Sequence, residues 1–287
     1  MDRNDNVFDR GGSNDLHWTA TLYHEGKFHM FYNYGMSSSG PMPLMSGLAV
    51  SENGQDFKVK CSVVFYPSMD SWDSQLVEVH SILRAEGMWR MYYCGYDGAN
   101  WRIGMAESED LIEWKKLPRP ILDIGDAQWE NKLVADPHVI HFKGKYLMYY
   151  MGKGQVWQVG VATSRDGIDW ARHQMNPIIK ADEEWCDGCV ALSGIISHEG
   201  ILLASVHGYS KSEEKFRTKL FRSENGIKWT PLNITIEPGE WCNRGIVHPE
   251  LLVLDGKLLI YYTGIRLGQP NQHRVGRVVY DLKEVGL

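Results

Sequence analysis

The sequence predicts an all-β chain built from five repeats of one antiparallel sheet, on three observations. A tryptophan recurs ahead of a strand-like apolar run at Trp72, Trp129, Trp185 and Trp241, at spacings of 57, 56 and 56 residues. An aromatic pair follows three of them 20 and 21 residues later, as Tyr92-Tyr93, Tyr149-Tyr150 and Tyr261-Tyr262. A turn closed by an aromatic comes next, as SENGQDF (51–57), SEDLIEW (108–114), SRDGIDW (164–170) and SENGIKW (223–229), which is hairpin chemistry. A repeat of about 56 residues holds four strands, and five of them make a five-bladed β-propeller of four-stranded antiparallel blades around a central pocket.

Each blade is justified in turn. Blade one (about 11–65) has no landmark Trp, but the period extrapolates to Gly11, and Phe31-Tyr32 falls at the expected place. Blade two (about 66–122) carries the full pattern. Blade three (about 123–179) shows it most clearly: an Asp-Pro heads an apolar run, a Gly-Lys turn follows, an aromatic run ends in Tyr149-Tyr150, and VGVATS leads to the turn at Arg165-Asp166-Gly167. Blade four (about 180–235) has Ser205-Val206 in place of the aromatic pair, which a strand still accepts. Blade five (about 236–287) ends in RVGRVVYDLKEV, short of an outer strand. Residues 1–10, chiefly Asn6–Arg10, are expected to complete it and close the ring, since an open sheet edge invites aggregation. No linker or shift in composition interrupts the chain, so 1–287 reads as one domain.

Composition narrows the partners. The 287 residues are 43% hydrophobic and 23% charged, with 11 Trp and 14 Tyr, which suits a large core rather than a disordered chain. Net charge is −6 with a pI near 6.0, and no Lys/Arg run appears, which argues against nucleic acid or an anionic membrane as partner. The N-terminus lacks a signal-peptide pattern and no apolar run reaches membrane-helix length, so the expected location is cytoplasmic. Five cysteines, odd in number, do not frame a disulfide scaffold. Cys186-Asp-Gly-Cys189 lacks the second knuckle a zinc site needs and reads as packed thiols. KSEEKFRTK (211–219) reads as a solvated hairpin tip.

A propeller places the starts of its innermost strands around one mouth, the natural concave site. Aligned from the landmark Trp, those starts offer Asp15, His17 and Trp18; then Glu78 and His80; Asp136 and His138; Asp187 and Ser193; and His248 and Glu250. Paired carboxylates around one pocket suit glycosidic bond cleavage, one donating a proton to the leaving oxygen while the other attacks or activates water. Trp18 and Trp101 offer faces for sugar rings.

At these residues the chain resembles the five-bladed propeller glycosidases of glycoside hydrolase families 43, 32 and 130. Asn14-Asp15-Leu16-His17-Trp18 resembles the Asn-Asp-Pro-Asn-Gly opening of invertases, and the resemblance makes Asp15 nucleophile or base. Ala135-Asp136-Pro137 resembles an Arg-Asp-Pro motif whose Asp acts electrostatically. Leu16 and Ala135 depart from those motifs. The usual fourth-blade acid would stand nine residues before Gly200, where this chain has Ala191. The same count from Gly87 reaches Glu78, and the mannoside phosphorylase relatives also take their acid from blade two. The resemblance therefore assigns the acid to Glu78, ahead of Asp187 and Glu250. His17, Trp18, His80, Trp101, His138 and His248, with Asp187 and Glu250, are expected to contact substrate. The resemblance requires no metal, and admits a central divalent cation beside His248. It implies hydrolysis of a small soluble glycoside. Two alternatives stand beside it: a phosphate-dependent phosphorylase drawing on Arg102, Arg244, Arg266, His273 and Arg274 for an anion pocket, and a non-catalytic sugar- or protein-binding propeller.

Overall fold

Alternation of apolar residues with short Gly-containing turns gives hairpins throughout, and the computed structural model describes residues 1–9, 16–35, 43–268 and 272–286. Strand β1 spans Asp2–Phe8. Blade one holds β2 (Leu16–His24), β3 (Lys27–Tyr34), β4 (Met45–Ser51) and β5 (Lys58–Phe65). Blade two holds β6 (Leu76–Ala85), β7 (Met88–Tyr96), β8 (Trp101–Ser108) and the short β9 (Lys115–Lys116). Blade three holds β10 (Leu133–Phe142), β11 (Lys145–Lys153), β12 (Trp157–Ser164) and the short β13 (Ala171–Arg172). Blade four holds β14 (Cys189–His198), β15 (Ile201–Ser210), β16 (Lys215–Ser223) and β17 (Thr230–Thr235). Blade five holds β18 (Gly245–Leu254), β19 (Lys257–Arg266) and β20 (Gln272–Asp281), followed by a 3₁₀ turn at Leu282–Val285. No helix among the described residues is long and apolar enough to cross a membrane.

Every blade is an antiparallel meander whose first strand is innermost, and β2, β6, β10, β14 and β18 pack against one another in a closed circuit. The fourth strand of blade five is β1, paired antiparallel with β20 from Asp2 opposite Val279 to Phe8 opposite Val275. The closing strand lies within the expected 1–10 and begins earlier than Asn6, at Asp2, and its Val7 and Phe8 enter the core between blades five and one.

The core lies between blades, one cluster at each of the five junctions. Strand side chains alternate in direction, so the two members of each aromatic pair face opposite neighbours. Tyr93 packs toward blade one and Tyr92 toward blade three, both fully buried. The first tyrosine donates its hydroxyl to the Gly carbonyl in the turn of the next blade: Tyr92 to Gly167 at 3.1 Å, Tyr149 to Gly226 at 2.8 Å and Tyr261 to Gly54 at 2.9 Å. The second reaches an acid instead, Tyr93 to Asp73 and Tyr150 to Glu130 beside the landmark tryptophans, and Tyr262 to Asp5 of β1. Within the turns a Ser hydroxyl accepts the Gly N–H and an Asp or Asn carboxyl or amide oxygen accepts the next two N–H groups, as at Ser164 and Asp166. These bonds hold the exposed Asp166 carboxylate down at about 2.

Candidate active site

All five inner strands carry a β-bulge, at the same level in blades two to five and one pair farther from the hairpin in blade one. The register slips by one residue between Leu16 and Thr19, Val79 and Ser81, Ala135 and His138, Leu192 and Gly194, and Val247 and Glu250. A bulge inserts an unpaired residue and re-aims its side chain. The residues so released are His17 and Trp18, His80, Asp136, Ser193 and His248. Two of them, Asp136 (φ 51°) and His248 (φ 47°), adopt the left-handed conformation ahead of a proline, a costly geometry that clusters at functional sites.

The released side chains meet on the axis. His80 Nε2 lies 3.4 Å from Asp136 Oδ1 and 3.8 Å from Glu78 Oε2. His248 Nδ1 lies 3.9 Å from Asp136 Oδ2, and its ring stacks on Trp18 with centroids 4.1 Å apart. Glu78, His80, Asp136 and His248 are all buried. Burial raises the Glu78 carboxyl to about 7, against the pull of His17 and the Trp18 indole N–H. It raises Asp136 to about 6, with the His80 imidazole opposing and Glu78 reinforcing. Burial also drives His80, His138 and His248 down, so these imidazoles are neutral. A protonated carboxylic acid beside neutral imidazoles is poised to give a proton.

Other expected residues stand elsewhere. Asp15 lies outside the described residues. Glu250 and His138 sit one level below the mouth, where with Thr21, Ser81 and Ser193 they line an axial cavity of about 100 Å³. The bulge explains this displacement, because it turns His248 rather than Glu250 toward the mouth. The Glu250 carboxyl accepts bonds from the Thr19 hydroxyl (2.6 Å) and the Thr21 N–H, and burial raises it to about 8. Asp187 stands apart from the cluster and accepts the Lys211 N–H at 2.8 Å, tying down the tip of the β15–β16 hairpin. Trp101 opens β8 on the rim of blade two and stacks on Tyr96 at 5.2 Å.

The cations divide likewise. Arg102 is held by Asp97 (2.7 Å) and Asp123 (3.0 Å), and Arg266 is exposed. Arg244 lies over the Tyr209 ring, and Arg274 lies over Trp241 and 3.7 Å from Asp9. The His273 ring bonds the Leu16 carbonyl through Nδ1 at 2.6 Å and lies 6.5 Å from the His17 ring. Blades five and one thus bring His273 and His17 together at the mouth.

Two contributors escaped the sequence reading. Cys94 stands directly opposite Glu78, and its sulfur accepts the Asp136 N–H at 3.0 Å. Counting across the β6–β7 hairpin without a bulge pairs Glu78 with Gly95, so only the bulge brings Cys94 into line. His207 on β15 bonds Ser193 (2.8 Å) and lies 4.8 Å from the His248 ring, so blade four reaches the axis through its second strand.

The fold is that of a five-bladed propeller with acids and imidazoles gathered at one mouth of its axis. A family model described as β-1,4-mannooligosaccharide phosphorylase, glycoside hydrolase family 130, matches residues 19–264, and the chain belongs to that family. It is 28% identical over 189 residues to the 1,2-β-oligomannan phosphorylase of Thermoanaerobacter sp. (strain X514), covering 64% of this chain and 59% of that protein. Among solved structures, one named a glycoside hydrolase superposes with a TM-score of 0.80 at 18% identity, over 92% of this chain and 87% of that one. Another superposes with a TM-score of 0.69 at 20% identity, over 95% and 86% of the two chains. That structure is of the family of mannoside phosphorylases described as containing glycoside hydrolases that target β-1,2-mannosidic linkages in Candida mannan.

Proposed function

We propose that the protein is a phosphate-dependent phosphorylase of β-mannosides, with Glu78 as its proton donor. The observation that carries this reading is the Glu78 carboxyl, buried in the mouth and raised to about 7, so that it still holds a proton near neutrality. Family membership and the phosphorylase relative support the substrate class. In the proposed step a phosphate oxygen bonds to the anomeric carbon, the glycosidic C–O bond breaks, and the Glu78 proton goes to the leaving oxygen. Phosphorolysis asks for one acid and an anion site, because phosphate supplies the nucleophile. His17, His273, Arg244 and Arg274 are the groups proposed to receive the anion. Asp136 is the proposed electrostatic partner of the acid. Trp18 and Trp101 are proposed to carry sugar rings, and His80 and His248 to position hydroxyls.

Turnover of β-1,2- and β-1,4-mannobiose with and without inorganic phosphate tests the proposal. Release of glycosyl phosphate only when phosphate is present is expected. Glu78→Gln should lower kcat by about 10²–10⁴. In the wild type, rate should fall as pH rises through about 7, because the proton-donating form disappears. Release of free mannose at a rate indifferent to phosphate would instead establish the second reading, hydrolysis, which the family's β-1,2-mannoside hydrolases favour. In that case Asp15 is the proposed base or nucleophile.

A further inference from the structure

We propose that Glu78, His80, Cys94 and Asp136 form a binding site for a zinc-like divalent cation. One ligand atom from each of the four lies within 4.8 Å of every other, and all four residues are buried. They come from three strands. His80 is the bulged residue of β6 and Glu78 stands two positions before it, Cys94 faces Glu78 from β7, and Asp136 arrives on the bulge of β10. Independently of the cluster, His80 Nε2 is buried, has no hydrogen-bond partner, and points between the two carboxyl groups at 3.4 and 3.8 Å. A buried polar nitrogen left in that state is costly.

The ligand chemistry selects the ion. A tetrahedral zinc ion holds N, O and S ligands ~3.4–3.8 Å apart. The two His80 separations already have that size, and the others, none above 4.8 Å, need to close by at most about 1 Å. Calcium and magnesium call for six or more oxygens and tolerate neither thiolate nor imidazole well, whereas this mixed set suits zinc or cobalt(II). The ion replaces the protons of the Cys94 thiol and the Glu78 carboxyl, which are released, and its charge offsets the buried carboxylates. The site lies across the axis from His248, whose ring centroid is 6.0 Å from that of His80. It is also separate from the Cys186–Cys189 pair at the start of blade four. Binding is independent of the proposed activity. Its consequence rests on that activity: an ion on Glu78 removes the proton the leaving oxygen needs, so the loaded protein is inactive.

The test titrates cobalt(II) and then zinc(II) into full-length protein stripped with chelator, reading the thiolate-to-cobalt charge-transfer band and, separately, turnover. One equivalent of cobalt(II) should generate the band and zinc(II) should displace it. The band should vanish in Cys94→Ser, and affinity should fall at least tenfold in His80→Gln and in Glu78→Gln, with near-ultraviolet circular dichroism showing that each variant is folded. A Cys186→Ser/Cys189→Ser double variant should keep the band. No band at tenfold excess of cobalt, a band that survives Cys94→Ser, or one lost only in the double variant overturns the proposal. Because the spectrum reads binding without turnover, failure of the activity assignment leaves this result distinct. Should Cys94→Ser fail to fold, the two affinity losses decide the matter alone.

Discussion

At the residue scale, the axis is governed by burial acting in opposite directions on acids and bases. Glu250 keeps its proton to about 8 in the fold, whereas its unfolded value is 4.5. Between those values the folded state binds more protons, so stability is present below about 4.5 and lost as pH rises toward 8. The four axial imidazoles work the other way: His207 is driven down to about 3 by burial, so below about 6.5 the unfolded chain gains protons that the fold refuses. Glu250→Gln keeps the bonds to Thr19 or Thr21 within reach and removes the ionisable group. It should flatten the decline of the unfolding free energy between pH 4.5 and 8 by an amount on the order of a few kcal/mol. A decline as steep as in the wild type would assign the effect to Glu78 and Asp136 instead.

At the scale of the element, the middle strand of a blade is the part that joins it to its neighbours. Three junctions use a tyrosine hydroxyl on a turn carbonyl, and the exceptions follow from sequence. Blade one has Phe31 without a hydroxyl, and its partner turn carries Leu111 in the left-handed region (φ 69°) where the others have glycine. There, Asn33 bonds both the N–H and the carbonyl of Val79, beside the bulge. Blade four has Ser205, which donates to the Pro249 carbonyl, again at a bulge. Tyr149→Phe removes one latch and leaves the buried Gly226 carbonyl unpaired, which should cost about 1–3 kcal/mol in denaturant unfolding. Gly226→Ala should cost more, because φ is 77° and a Cβ would stand 2.6 Å from Leu147. A Tyr149→Phe variant as stable as wild type would show the latch to be ornamental. These elements were legible because strand runs, Gly turns and aromatic pairs are local signals. The bulges were half legible: Pro137 and Pro249, each inside a strand, mark two of them, since proline cannot donate to a ladder. The other three depend on ring closure, and no local residue announces them. Cys94 and His207 went unread for that reason.

At the scale of the molecule, five repeats near 56 residues were enough to specify the propeller, and the missing outer strand of blade five was enough to call for an N-terminal closure. The ring turns Glu78, Asp136 and His248, far apart in sequence, into neighbours, which the matched offsets from the tryptophans disclosed. The offsets did not disclose depth, and so placed Glu250 and His138 one level too high. The bulges, four at one height and that of blade one a pair above, also interrupt all five inner ladders there. Below its bulge, each strand runs in unbroken register to its hairpin. Above it, short lengths such as Leu133–Ala135 and Gly245–Val247 hold the rim. Solvent deuterium should therefore enter the rim first: amides of 133–135 and 245–247 should exchange ahead of 139–142 and 251–254 under native conditions, and equal protection would contradict this. With that order of exchange the mouth would be a collar that opens locally on a floor that does not, and a ligand of the proposed kind could enter without unfolding the ring.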